Sequence, residues 1–301
     1  MSLERESEML SCASCGIADG DGIKLKKCTA CYLVQYCSVK CQKEHRKQHK
    51  KECKKRAAEL HDEILFKQPE GTHLGDCPIC CLPVSTDLEK SILYSCCSKY
   101  ICKGCSVANK KRELEGRLQR TCPFCRTDLP KTDEERNKLK MKRIEANDPV
   151  ALCSMGMDTY DEGDLEAAFE YYTKAAAYGD VEAQYRLSMM YNEGEGVEKD
   201  KKMELHHLTE AAMEGHPEAR HNLGYVEEEN GRMDRAAKHF IIAAKLGFDD
   251  SLECVKDLYK DGHVSKDDFA AALRGHHTAV VASKSSQREA AYQFLRSVKG
   301  E

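Results

Sequence analysis

The sequence predicts a multidomain chain: two small modules held together by cysteine-rich metal sites, followed by an all-α helical-repeat solenoid. Three observations carry this. Sixteen of the 18 cysteines in 301 residues lie between Cys12 and Cys125, and several form C-x-x-C pairs. They fall into two clusters separated by the turn Pro69-Glu70-Gly71. From residue 147 onward the chain is rich in Ala, Tyr and Leu, shows helical periodicity and repeats itself.

The bulk properties restrict the setting. No window approaches the roughly 20 apolar residues of a membrane-spanning helix. The opening MSLERESEML places charges where a signal peptide has its apolar stretch. Both point to a chain kept in the cytoplasm, the nucleus or both, with no membrane partner. Thiols stay reduced there, so a metal explains the cysteine clusters better than disulfides do. The formal charge of −4 counts thiols as neutral. Fifteen thiolates, less the eight charges of four zinc ions, would take it to −11.

In chain order, the expected domains are an N-terminal tail at 1–11, a first zinc module at 12–53, and a helical linker at 54–72. A second zinc module at 73–130 and a charged helical connector at 131–146 come next. The helical repeats with a C-terminal cap fill 147–299. In the linker, Ala57, Leu60, Ile64 and Leu65 share one face of a short helix.

The first cluster reads Cys12-x2-Cys15-x12-Cys28-x2-Cys31-x5-Cys37-x3-Cys41-x7-His49-x3-Cys53. Cys37 and Cys41, like His49 and Cys53, stand four apart and can share a helical face toward a metal. With Tyr36-Cys37-Ser38 and Cys41-Gln42, the pattern closely resembles the MYND zinc finger. That resemblance implies two interleaved sites: Cys12, Cys15, Cys37 and Cys41 in one, and Cys28, Cys31, His49 and Cys53 in the other. His45 also lies at helical spacing and is an alternative ligand, though x7 to His49 fits the family better. Residues 24–56 carry twelve Lys or Arg against only Glu44 and Glu52. A nucleic-acid surface is one reading. A solvated face that offsets the thiolates is the better one, because no aromatics interleave with the basic residues. Many family members carry a tryptophan where this chain has Arg46, and the chain contains no tryptophan at all. That departure calls the family's usual proline-rich peptide binding into question.

The second cluster runs Cys77-Pro78-Ile79-Cys80, Cys96-Cys97, Cys102-x2-Cys105 and Cys122-Pro123-Phe124-Cys125-Arg126. It resembles a RING finger. The cross-braced arrangement of that family implies one site from Cys77, Cys80, Cys102 and Cys105. Cys96, Cys97, Cys122 and Cys125 would form the other, with a helix between Cys105 and Cys122. The family usually has a ligand where this chain has Lys99. Cys96 and Cys97 must therefore serve together, or Cys81 must replace one of them. In RING-type ubiquitin ligases an isoleucine and a proline at the positions of Ile79 and Pro123 dock the ubiquitin-conjugating enzyme. An arginine at the position of Arg126 often bridges to ubiquitin. The resemblance thus implies catalysis by positioning, with no nucleophile on this chain. The alternative is that these three residues merely pack the zinc loops or face solvent. No other catalytic set and no phosphate-cradling glycine loop is present.

The third region aligns on Gly179, Gly215 and Gly247, with an earlier unit opening at Asn147 and steps of 32, 36 and 32 residues. A bulky residue precedes each glycine by seven positions (Tyr172, Leu208, Phe240). Alanine pairs precede it by three and four (Ala175 and Ala176, Ala211 and Ala212, Ala243 and Ala244), and Leu187, Leu223 or Val255 follows by eight. Each unit reads as two helices joined by a turn, the glycine permitting the reversal after the second. The alanines let helices approach closely and the bulky residues fill the space between repeats. The pattern resembles Sel1-like repeats, relatives of the tetratricopeptide repeats, with 266–282 as the last helix of a fourth unit and 287–297 as a closing cap. Tyr171, Tyr191, His206 and His221 are candidates for an exposed protein-binding surface; ordinary packing between repeats is the alternative, and the better reading for the tyrosines.

These parts suggest an adaptor of the ubiquitin-ligase type, with protein partners on the repeats. The alternative is a scaffold that binds proteins without catalysis. A nuclear regulator using the basic helix on nucleic acid is the weakest reading.

Overall fold

The computed structural model describes residues 11–20 and 22–299; most of the tail expected at 1–11 lies outside the described residues. The chain divides into two units, one ending at Lys67 and the other beginning at Gln68. Among the described residues no helix is long and apolar enough to cross a membrane.

In the first unit, β1 (Lys26–Lys27) pairs antiparallel with β2 (Gln35–Tyr36). Helix α1 then runs from Val39 to Leu65. The Ser38 hydroxyl caps it by accepting the Cys41 amide at 3.3 Å. The short linker helix expected after residue 54 is the last third of α1, and Ile64 on its expected apolar face is 59% exposed. No proline or glycine interrupts 39–65, so helix formation simply continues through the last cysteine.

The second unit begins with the cysteine-rich module. A hairpin of β3 (Ser91–Tyr94) and β4 (Lys99–Cys102) leads directly into α2 (Lys103–Glu115). Ile92 faces Ile101 across the hairpin, and Ile101 is fully buried with Val84 among the cysteines. Helix α3 (Asp133–Glu145) follows, with acids in its first turn and bases in its last, matching the helix dipole.

Eight helices make four antiparallel pairs: α4 (Pro149–Asp161) with α5 (Leu165–Ala177), α6 (Val181–Glu193) with α7 (Lys201–Met213), α8 (Pro217–Glu229) with α9 (Met233–Lys245), and α10 (Asp249–Lys260) with α11 (Lys266–Ala282). Aspartate side chains start the first four: Asp148, Asp164, Asp180 and Asp200 each accept an amide of the following turn at 2.8–3.1 Å. The alanine pairs are buried, as are Tyr172, Leu208 and Phe240 and the following Leu187, Leu223 and Val255. Gly215 shows why the reversal position is glycine. Its φ is +86°, and a Cβ there would lie 2.5 Å from the Gly71 carbonyl oxygen of the segment leading into the second cysteine module.

The last helix, α12 (Ser286–Lys299), was expected to close the repeats as a cap. It packs on α2 of the cysteine module instead. The chain thus returns, after the repeats, to a segment almost 200 residues upstream.

Candidate metal centres

The local backbone explains how the cysteines converge. Four of the five C-x-x-C segments form the same knuckle, the exception being Cys102-x2-Cys105, which starts α2. The carbonyl of the first cysteine accepts the amide of the residue just past the second cysteine: Gly16 to Cys12, Tyr32 to Cys28, Cys81 to Cys77 and Arg126 to Cys122, at 2.8–3.0 Å. In all four, that following residue is left-handed, with φ between +53° and +75°. Non-glycine residues hold that conformation at a cost of about 1–2 kcal/mol, so the turn needs something to enforce it. The knuckle throws both sulfurs to one side, where a second pair meets them.

Four tetrads result, each with its donor atoms within 4.8 Å of one another: Cys12, Cys15, Cys37 and Cys41; Cys28, Cys31, His49 and Cys53; Cys77, Cys80, Cys102 and Cys105; and Cys96, Cys97, Cys122 and Cys125. Sulfur–sulfur distances of 3.5 Å (Cys15–Cys37), 3.7 Å (Cys28–Cys53), 3.8 Å (Cys80–Cys102) and 3.9 Å (Cys97–Cys122) recur. Thiolates bound at 2.3 Å to one tetrahedral centre stand about 3.8 Å apart, whereas a disulfide would bring them to about 2 Å. Both the donor chemistry and the spacing fit zinc. The third tetrad shows the electrostatic need for it. The Cys77 thiol is lowered to about 4, chiefly by a hydrogen bond from Cys102, while Cys102 is raised by its bond to the Cys77 sulfur. One ionisation opposes the next, and a dication lets all four be thiolates.

The alternatives left open by the spacing are placed elsewhere. Nδ1 of His45 meets the Tyr36 hydroxyl at 3.1 Å, and its ring stacks on His49 without entering a tetrad. Cys81 is the exposed left-handed residue of its knuckle. Cys96 and Cys97 both join the fourth tetrad. Lys99 stands in β4 opposite Tyr94.

Ile79 and Phe124, at the tips of the two knuckles of the second module, are 42% and 43% exposed. Pro123 is buried between them in sequence, so the exposed apolar residue of that loop is Phe124. Arg126 is exposed and donates from Nη1 to Asn109 Oδ1 of α2 at 3.3 Å. Asn109 also donates to Glu113, which is buried (3% exposed) and accepts the Thr121 amide at 2.9 Å and hydroxyl at 3.0 Å. Burial alone would raise the Glu113 carboxyl; the hydrogen bonds from Thr121 and Asn109 outweigh it and lower it. Glu113 therefore fixes the strand entering Cys122 as a carboxylate. Its cysteine-free surroundings in sequence offered no signal of this role.

A fifth cluster joins His73, Glu182 and His216. It is a polar joint and not a metal centre. His216 caps α8 at the position held by Asp148 and Asp180 in the preceding repeats. Its Nδ1 accepts the Ala219 amide at 3.2 Å, so the ring proton lies on Nε2 and is given to Glu182 at 3.1 Å. The His73 and His216 rings stack at 4.3 Å and 8°, so their in-plane lone pairs cannot meet on one ion. The other Glu182 oxygen takes Arg186 Nε at 2.7 Å. Burial pushes His216 below the usual histidine range and keeps it neutral.

On the repeats, the expected surface residues are mostly internal. His221 is buried, bonded to Ser251 at 2.8 Å and packed by Tyr225, Phe240 and Phe248. Tyr191 stacks on His207, Tyr171 lies against the core, and only His206 is exposed.

Comparison with known proteins agrees with this architecture. Residues 12–53 match the MYND finger family, and residues 149–180, 181–216 and 217–248 each match the Sel1 repeat family. A protein of Ostreid herpesvirus 1 (isolate France) named as a RING finger protein, ORF96, is 33% identical over 60 residues, 20% of this chain and 25% of the viral protein. The chain thus spans about a quarter of that relative's length. Among solved structures, a protective antigen of uropathogenic Escherichia coli displaying an SLR fold covers 49% of this chain and 33% of its own, at 27% identity and a TM-score of 0.40. A Sel1 repeat protein from Oxalobacter formigenes covers 59% of this chain and 71% of its own, at 22% identity and a TM-score of 0.43. The chain therefore carries a MYND finger and Sel1 repeats, with a second zinc module between them.

Proposed function

We propose that this zinc-finger and Sel1-repeat adaptor works as a RING-type ubiquitin ligase in the cytoplasm or nucleus. The sixteen tetrad residues would hold four zinc ions that give the two modules their fold. The second module would receive a ubiquitin-conjugating enzyme while the repeats hold a protein substrate or complex. The observation that carries this reading is the pair of apolar residues, Ile79 and Phe124, presented to solvent at the two knuckle tips of one braced module. Apolar side chains at rigid loop tips are costly to leave in water and suited to docking. Arg126, at the knuckle's left-handed position, would reach ubiquitin, released from Asn109 when the complex forms. The chain would supply no nucleophile; it would hold the thioester of the conjugating enzyme in a reactive geometry, where fixed orientation alone is worth several kcal/mol.

The test is autoubiquitination by the full chain, verified by native mass spectrometry to carry four zinc ions, across a panel of conjugating enzymes. Activity should fall at least tenfold in Ile79→Ala, Phe124→Ala and Arg126→Ala, with zinc content unchanged. Absence of activity across the panel refutes the ligase reading. The buried Pro123 favours the second reading, a scaffold whose zinc modules and repeats bind proteins without catalysis.

A further inference from the structure

The return of α12 to the second zinc module brings one side chain into its first site. Arg288 is 1% exposed. Its Nη2 donates to the Cys80 sulfur at 3.2 Å and the Leu82 carbonyl at 3.0 Å, and its Nη1 donates to the carbonyls of Pro83 at 2.7 Å and Ser283 at 2.6 Å. The neighbouring Gln287 reaches a second sulfur of the same tetrad, Cys105, at 3.7 Å. The contact is close enough to require Gly104: a Cβ there would lie 2.9 Å from the Arg288 Cα.

We propose that Arg288 is an outer partner of the zinc site formed by Cys77, Cys80, Cys102 and Cys105, and that this zinc ion and helix α12 hold each other in place. A zinc centre with four thiolates carries a net charge of −2, and a buried guanidinium beside it offsets part of that charge. The dependence runs the other way as well. The Leu82 carbonyl also accepts the Cys77 amide at 3.0 Å, closing the knuckle. Arg288 therefore grips the loop conformation that a metal shared by Cys77 and Cys80 would hold. Without it, a buried cation would face scattered acceptors, a strongly unfavourable state. Two sites that each favour the other's ordered state must be coupled reciprocally. The clasp also braces the loop that carries Ile79. The inference rests on the zinc reading of this tetrad and not on ligase activity.

The full zinc-loaded chain tests it. Chelator-driven zinc release should show one of four ions leaving about 10- to 100-fold faster in Arg288→Ala, with the other three at wild-type rates. Arg288→Lys should behave like Arg288→Ala, because an ammonium cannot span a sulfur and two carbonyls as the planar fork does. In a separate arm, hydrogen exchange across 286–299 should accelerate in Cys77→Ser, which empties this site, and stay unchanged in His49→Ala, which empties one in the MYND finger. Unchanged zinc release in Arg288→Ala, or equal acceleration of all four ions, overturns the proposal. Unchanged protection of 286–299 in Cys77→Ser overturns it even where Arg288→Ala fails to fold. A wild-type chain lacking zinc at this tetrad would instead refute the zinc reading itself.

Discussion

The fit between Gly224 and Phe240 sets how closely α8 and α9 approach. A Cβ at Gly224 would lie 2.5 Å from Cε1 of Phe240, 2.7 Å from Cζ and 2.8 Å from Cδ1. Carbon atoms prefer about 3.5–4.0 Å, so the ring or the helix must move by about 1 Å. The ring has little room: Phe240 is 1% exposed and touches His221 and Tyr225 edge-on or tilted, at 5.3 Å each. Overpacking of this kind costs about 1–3 kcal/mol. Replacing glycine by alanine inside a helix returns about 1 kcal/mol. Gly224→Ala should therefore lose up to about 2 kcal/mol. Phe240→Leu, which removes the clashing ring atoms, should lose about 1–2 kcal/mol on its own through lost burial. Together they should lose at least 1 kcal/mol less than the sum, because the smaller side chain vacates the space the methyl needs. The second repeat already holds the compensated pair: Ser188 stands where Gly224 does and Leu208 where Phe240 does. The first repeats the tight one, a Cβ at Gly156 lying 2.7 Å from the Tyr172 ring. The assay is native-state hydrogen exchange of α8 and α9 amides in the full zinc-loaded chain, which reads local stability without assuming that the whole protein unfolds at once. Costs that add to within about 0.5 kcal/mol, or a Gly224→Ala chain more stable than wild type, would refute the packing argument.

Two further outcomes follow from named groups. Glu113→Ala removes an acceptor shared by the Thr121 amide, the Thr121 hydroxyl and Asn109. Zinc held by Cys96, Cys97, Cys122 and Cys125 should then weaken roughly 10- to 100-fold in chelator competition, with the MYND finger's ions unaffected. His207 is pushed down to about 4 by burial and the neighbouring His206. Its ring donates from Nδ1 to Gln184 at 2.6 Å. Between pH 6.5 and about 4 the unfolded chain binds a proton there that the folded chain refuses, so repeat stability falls as pH falls through that window. Urea midpoints of α6–α7 exchange should drop less steeply over this range in His207→Gln; identical slopes would remove His207 as the cause.

The tetrads were legible because the knuckle is local. Cysteines three apart with a left-handed residue after them need no knowledge of the rest of the chain, and the second pair in each site is also local: a helix start for Cys37 and Cys41 and for Cys102 and Cys105, one helix face for His49 and Cys53, and the β3–β4 turn for Cys96 and Cys97. The pairing across sites was not local and came only through family resemblance. The repeats were legible in their buried residues for a similar reason: alanine pairs and bulky residues recur at fixed offsets from the glycines. Their surface was not, since the packing of the neighbouring helices decides that His221 is covered and His206 is not. His216 fills a capping position that the two preceding repeats give to aspartate, a substitution visible only once the repeats are superposed. Continuation of α1 past Cys53 was hidden by the change in composition at residue 54, which alters what the helix faces and not whether it persists.

Arg288 marks the limit of sequence reading and also explains the arrangement of the chain. One arginine in a helix-forming segment looks like solvent-facing charge, and nothing within ten residues points to a metal. Its partners in the zinc module lie more than 200 positions upstream, joined to it only through four helix pairs whose summed geometry no local pattern encodes. That geometry has a consequence for any function the repeats serve. A module tethered at one end could swing relative to the repeats. This module is held at both, by the His73 amide bonded to the Gly215 carbonyl at 3.1 Å on one side and by Arg288 on the other. A protein gripped by the repeats would then stand at a fixed position from Ile79 and Phe124, and fixed relative position is the one contribution that catalysis by positioning requires.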